Sequence, residues 1–148
     1  MDLMEYKVRE LYQEAGIPAN RGVVVDDLDT LDLAAADLSF PLVIKAQVQT
    51  GGRGKAGGIR FAENQDELRR EAARILGMEI RGHRVDRLFI AEKAEILDEC
   101  YLGLVLDRLS KQPMFLFSRA GGVDIEETAR NHPEQVIRLP FDPLIGFG

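Results

Sequence analysis

The sequence predicts an α+β fold, and three observations carry that prediction. Short apolar runs of strand length alternate with segments of helical period. A glycine-rich block at residues 50–58 separates one such run from another, so two strands are joined there without a helix. A polar stretch, Arg108-Leu109-Ser110-Lys111-Gln112, separates two further apolar runs in the same way. A purely parallel, doubly wound sheet needs a crossover at each of these places, so mixed sheets with flanking helices fit better.

The elements follow in order. Asp2 stands three residues before Glu5, like a capping box, and Met4, Val8, Leu11, Tyr12 and Ala15 share one helical face. Gly16, then Ile17 and Pro18, stop that helix. A strand at 23–25 and a weak helix at 30–37 lead to a strand that ends at Lys45. Ile59, Arg60 and Phe61 form the returning strand. Asn64 with Glu67 three residues on starts a helix whose apolar face is Leu68, Ala72, Ile75 and Leu76, and Gly77 closes it. Leu88, Phe89, Ile90 and Ala91 make a buried strand ending at Glu92. Runs 101–106 and 114–117 make a hairpin, and Gly121-Gly122 precedes a short helix at 125–131, broken by His132-Pro133. The last ten residues carry five large apolar side chains with no helix or strand period. Such a tail needs cover from its own domain, from further chain or from a partner.

Composition narrows the function. With 148 residues, 45% of them hydrophobic, the chain can build a core, and a net charge of -6 argues against general nucleic-acid binding. The single cysteine, Cys100, rules out an internal disulfide and reads as a packing residue. No signal peptide or membrane span is legible, so a soluble, cytoplasmic protein is expected.

Against this acidic background, five of the eight residues from Gly51 to Gly58 are glycine, and Lys45, Arg53 and Lys55 lie in or beside the block. Glycines bring bare amides close to a ligand, and cations interleaved with them suit a polyphosphate. The block joins two strands and lacks the closing Gly-Lys-Ser/Thr of a Walker loop. Taken alone, Lys45 reads as a strand-end lysine snorkelling to solvent; the adjacent loop favours a phosphate contact. Glu92 ends a strand and Glu99 precedes one, where a carboxylate can accept bonds from ribose hydroxyls. Taken alone, both read better as part of a solvated acidic stretch with Glu95 and Asp98. His83 and His132 lack ligand-like spacing, and no catalytic constellation is legible.

Glu5-Tyr6, Ala15-Gly16-Ile17-Pro18-Ala19, Val43-Ile44-Lys45-Ala46-Gln47-Val48, the whole block from Gly51 to Gly58, Glu99-Cys100-Tyr101-Leu102-Gly103, Val105-Leu106-Asp107-Arg108, Gly121-Gly122-Val123-Asp124-Ile125-Glu126 and Asp142-Pro143-Leu144 follow one another along the chain. In this order they resemble the amino-terminal part of the β subunit of succinyl-CoA synthetase, a family with an ATP-grasp nucleotide site. The resemblance implies that Lys45 contacts nucleotide phosphates, that Gly52, Arg53 and Gly54 form a mobile phosphate-covering loop, that Glu92 lies at the adenine hinge with Ala94 offering backbone to the base, and that Glu99 holds the ribose. Asn20-Arg21 falls where the family tunes adenine against guanine. It implies residues 20–95 as a smaller lobe, with 1–19 and 96–148 in a larger one.

The resemblance further implies a succinate-CoA ligase using ATP or GTP with Mg2+ and coenzyme A, in a heterodimer or heterotetramer with an α subunit that carries the phosphohistidine and most of the coenzyme A site. Neither His83 nor His132 inherits that role. No counterpart of the family's metal ligands is found before Gly148, so the chain is expected to be a piece of a longer one, incomplete at its C-terminal end and inactive alone. A non-catalytic nucleotide-binding or assembly module, and the β-type subunit of a malate-CoA ligase or ATP-citrate lyase, are the alternatives.

Overall fold

The computed structural model describes residues 3–121 and 125–145, which fall into two compact units, Met1–Ala94 and Glu95–Gly148. The first unit runs α1 (Glu5–Glu14), β1 (Gly22–Val25), α2 (Leu31–Ala34), β2 (Leu42–Ala46), β3 (Ile59–Ala62), α3 (Gln65–Ile75), β4 (Glu79–Ile80), β5 (His83–Arg84) and β6 (Leu88–Glu92). Four strands form one sheet in the order β1-β6-β2-β3, every pair antiparallel. Strand alternation divides its residues between two faces. Leu42, Ile44 and Ala46 of β2 and Leu88 and Ile90 of β6 face α3, whose Leu68, Ala72 and Ile75 complete the buried core. Val43, Phe89 and Ala91 face the other way, against Tyr6 and Ile59.

Helix α3 forms where its signals predict. The Asn64 side chain accepts from the Glu67 amide at 3.0 Å, and the Glu67 carboxylate reaches back to the Glu63 amide at 2.9 Å. On the same helix Glu71 is buried. A hydrogen bond from Arg70, reinforced by Arg74, holds its carboxyl below the usual carboxylate range against the opposing effect of burial. Helix α2 is shorter than expected: it ends at Ala34, with residues 35–37 in a turn, and a 3-10 turn at Leu28–Thr30, capped by Asp27, precedes it. Asp32 on α2 accepts from Arg69 and Gln65 of α3, and these bonds, that from Arg69 foremost, lower its carboxyl's titration.

Helix α1 departs from expectation. It starts at Glu5 with Met4 at the N-cap and no side-chain cap; Asp2 lies outside the described residues. Glu5 turns to Lys45 and Arg53 instead of capping. Of the expected apolar face, Leu11, Tyr12 and Ala15 are exposed, and Tyr6 is the residue that packs on the sheet. The Glu5 ion pairs set the helix rotation, and the apolar period does not. Its end follows the sequence: Ile17 N–H donates to Tyr12 at 2.7 Å and Gly16 N–H to Gln13 at 3.0 Å, a Schellman closure.

Three strands escape the sequence reading. β4 and β5 pair in a hairpin of two-residue strands around Arg81-Gly82. In the second unit, β7 (Tyr101–Asp107) and β8 (Gln112–Ser118) form the expected hairpin, α4 (Ile125–Asn131) follows, and β9 (Ile137–Pro140) adds to the free edge of β8. The tail therefore begins as a strand, contrary to the expectation of no strand there. Backbone pairing with β8, and Phe141 stacked on Phe115 at 5.2 Å, hold it without an alternating pattern of its own. Leu144 and Ile145 are exposed, and Phe147 lies outside the described residues. Cys100, expected to pack, is exposed, because it precedes β7 rather than lying in it.

Candidate functional site

β2 delivers Lys45 to the face of the sheet that α1 covers. There Lys45 Nζ meets Glu5 Oε1 at 2.5 Å, while Arg53 Nη2 meets Glu5 Oε2 at 3.1 Å. Arg53 Nη1 also donates to the Ala46 carbonyl at 3.0 Å. One carboxylate thus gathers two cations, one on each oxygen, and ties the glycine loop to β2. All three side chains are about a quarter exposed, so they remain within reach of a ligand.

The loop between β2 and β3 coils on itself. Ala56 N–H donates to Gly52, Gly57 N–H to Gly54 and Gly58 N–H to Arg53, at 3.1, 3.0 and 2.8 Å. The amides of residues 51–55 make no hydrogen bond among the described residues, which leaves them for an acceptor from outside. Gly52 has φ 76°, which a side chain would resist. Gly58 is required for space: a Cβ there would lie 2.6 Å from Ile80 Cδ1 and 3.0 Å from Ala46 Cβ.

Two cavities flank these residues. One, of about 540 Å³, is lined by the loop from Thr50 to Lys55 together with Ile59 and Arg81. The other, of about 270 Å³, is lined by Lys45, Glu5, Arg9 and Asn20 together with the apolar Phe89 and Ala91. Lys45 and Arg53 are thus joined through Glu5 while opening to different cavities.

Glu92 ends β6 away from Lys45, paired in register with Leu42. Its carboxylate accepts from the Ser39 amide at 2.9 Å and lies 3.5 Å from Arg21 Nη1. Its backbone is braced as well: Glu92 N–H donates to the Arg21 carbonyl at 3.0 Å, and Asn20 Nδ2 donates to the Glu92 carbonyl at 3.2 Å. Ala94 is exposed just beyond β6. Glu99 belongs to the second unit, where its carbonyl accepts from Gly121 N–H at 3.0 Å and its side chain is exposed.

Among the described residues no three carboxylate, histidine or cysteine side chains come together to hold a metal ion. Both oxygens of Glu5 are already committed to cations. The described residues therefore do not fit a resident Mg2+. His83 is exposed on β5, and His132 lies 3.5 Å from Glu134. Sequence reasoning missed Glu5 as a site residue, although Glu5-Tyr6 is part of the matching text. It also missed Arg81, whose signal is the X-Gly pair of a two-residue turn.

The glycine loop between antiparallel strands and the strand-end lysine agree with comparison to known proteins: the ATP-grasp domain profile matches residues 2–148, and the chain belongs to the ATP-grasp family. At the level of individual proteins, it is 49% identical over 146 residues to the succinate-CoA ligase [ADP-forming] subunit beta of Rubrobacter xylanophilus. It is 42% identical to the protein of the same name from Natronomonas pharaonis. Each match covers 99% of this chain and 38% of the relative, so the chain spans well under half the length of these relatives. Among solved structures, a dinucleotide-forming acetyl-coenzyme A synthetase 1 from Ca. Korarchaeum cryptofilum superposes with a TM-score of 0.74 at 19% identity, covering 92% of this chain and 58% of that one. ATP citrate lyase from Methanothrix soehngenii gives 0.72 at 21%, covering 98% and 36%. These structural likenesses establish the fold.

Proposed function

We propose that the chain binds the phosphates of a nucleoside triphosphate, ATP or GTP, through Lys45 and the Gly52-Arg53-Gly54 loop, as the nucleotide-binding region of an acid-CoA ligase β subunit. The observation that carries this reading is the convergence of Lys45 and Arg53 on Glu5 beside the loop amides of residues 51–55, which make no hydrogen bond among the described residues. Fixed cations and amides stabilise a phosphoryl group without reorganising at the moment of transfer. In the same reading Glu92 and Ala94 form the adenine hinge and Glu99 holds the ribose, with residues 20–95 as the smaller lobe.

The names of the relatives point to succinate as the acid, with reversible phosphoryl transfer coupled to succinyl-CoA formation or cleavage. An α partner carrying the phosphohistidine and most of the coenzyme A site, Mg2+ held by residues other than those described, a place in the tricarboxylic acid cycle and a cytoplasmic location belong to this proposal. No helix among the described residues is long and apolar enough to cross a membrane. Titrating the chain with ATP and GTP, with and without Mg2+, tests the reading. Saturable binding that the phosphates strengthen over the bare nucleoside supports it; equal or no binding of both contradicts it.

A further inference from the structure

The larger cavity holds a cation that neither the glycine motif nor the family resemblance assigns. Arg81 occupies the first position of the two-residue turn between β4 and β5, with φ 51°, followed by Gly82 at φ 80°. Two successive left-handed residues make a turn in which asparagine or aspartate before glycine is favoured. An arginine there is strained, and strain at a pocket edge is a reason to look for a role.

The guanidinium of Arg81 lies against the glycine loop. A Cβ on Gly52 would stand 2.9 Å from Arg81 Nη2 and 3.2 Å from its Cζ. The cavity these residues share also presents Lys55 and the amides of 51–55, and none of the described residues that line it is a carboxylate. Neither Arg81 nor Lys55 has a carboxylate partner among the described residues, whereas Lys45 and Arg53 share Glu5. Arg81, Lys55 and the amides of 51–55, with no carboxylate among the described lining residues, attract an anion with several oxygens, and a planar guanidinium can bind two of them at once.

We infer that Arg81 is a phosphate-binding residue of the nucleotide site, receiving phosphate oxygens in this cavity from the side of the loop that faces the β4–β5 turn. The inference rests on the nucleotide-binding reading above. It places the phosphates between two elements, the glycine loop and the short hairpin, rather than under the loop alone.

The test is calorimetric titration of the chain with ADP, adenosine and inorganic tripolyphosphate, comparing wild type with Arg81→Asn and Arg81→Lys. Asparagine suits the left-handed turn better than arginine, so Arg81→Asn removes the charge while keeping the hairpin, and its melting temperature should equal or exceed that of wild type. The expected result is about tenfold weaker binding of ADP and tripolyphosphate to Arg81→Asn, a smaller loss for Arg81→Lys, unchanged adenosine binding, and mutual competition between the two phosphate ligands. Wild-type ADP affinity in Arg81→Asn, or tripolyphosphate that binds without displacing ADP, would overturn the inference and leave the nucleotide reading standing. A wild-type chain that binds neither phosphate ligand would overturn both.

Discussion

Glu5 and Lys45, forty residues apart in sequence, meet at 2.5 Å across the interface between the first helix and the second strand. Arg53 takes the other carboxylate oxygen at 3.1 Å, so a single acidic side chain gathers the two cations proposed to bind phosphate. The helix, the strand and the glycine loop are joined at this point.

Removing that carboxylate should leave two neighbouring cations uncompensated. Glu5→Gln is expected to lower stability by about 0.5–1 kcal/mol, a modest figure because the groups are partly exposed. The loss should shrink as salt screens the pair, so urea unfolding at low and high ionic strength checks it. A loss independent of salt would mean that packing of the glutamate stem, rather than its charge, matters.

Lys45→Ala should weaken nucleotide binding about tenfold or more, from a charge-assisted contact of about 1.5–3 kcal/mol. Titration of the variant with ATP reads this directly. Unchanged affinity would take Lys45 out of the site.

The two ends of the glycine block should respond differently to a methyl group. Gly58→Ala would press on Ile80, Ala46 and the Arg53 carbonyl, and overpacking of this kind costs about 1–3 kcal/mol. At Gly51 a Cβ meets nothing within 4 Å, so Gly51→Ala should be nearly neutral. Thermal melting of the two variants separates a glycine kept for space from one that is not.

Much of this architecture is legible in the sequence where signals are local. The Asn64 cap with its periodic apolar face fixes α3, and the apolar runs ending at Lys45 and Glu92 fix β2 and β6. The site is legible as far as the glycines and Lys45. What stays hidden is decided by partners distant in the chain. The rotation of α1 follows Glu5, which finds Lys45 and Arg53 only once the sheet has formed. The β4–β5 hairpin is too short to show a period, and β9 owes its form to the edge of β8.

Acid should reveal the buried Glu71. The bond from Arg70, then Arg74, lowers its folded titration below the unfolded glutamate value of about 4.3. A carboxyl shifted in this direction contributes stability above the unfolded value and loses it as pH falls through the folded one. Glu71→Gln should therefore destabilise most at neutral pH, with the difference from wild type narrowing in acid. A pH-independent difference in melting temperature would refute the ion-pair origin.

Amide hydrogen exchange across the glycine loop, with and without ATP, is the most direct measurement of nucleotide binding at this site. The amides of residues 51–55, which have no acceptor within the described chain, should exchange fast in the free protein and slow markedly when ATP saturates it. Saturating ATP that protects other segments and leaves these amides as fast as before would contradict the assignment of the loop as the phosphate cradle.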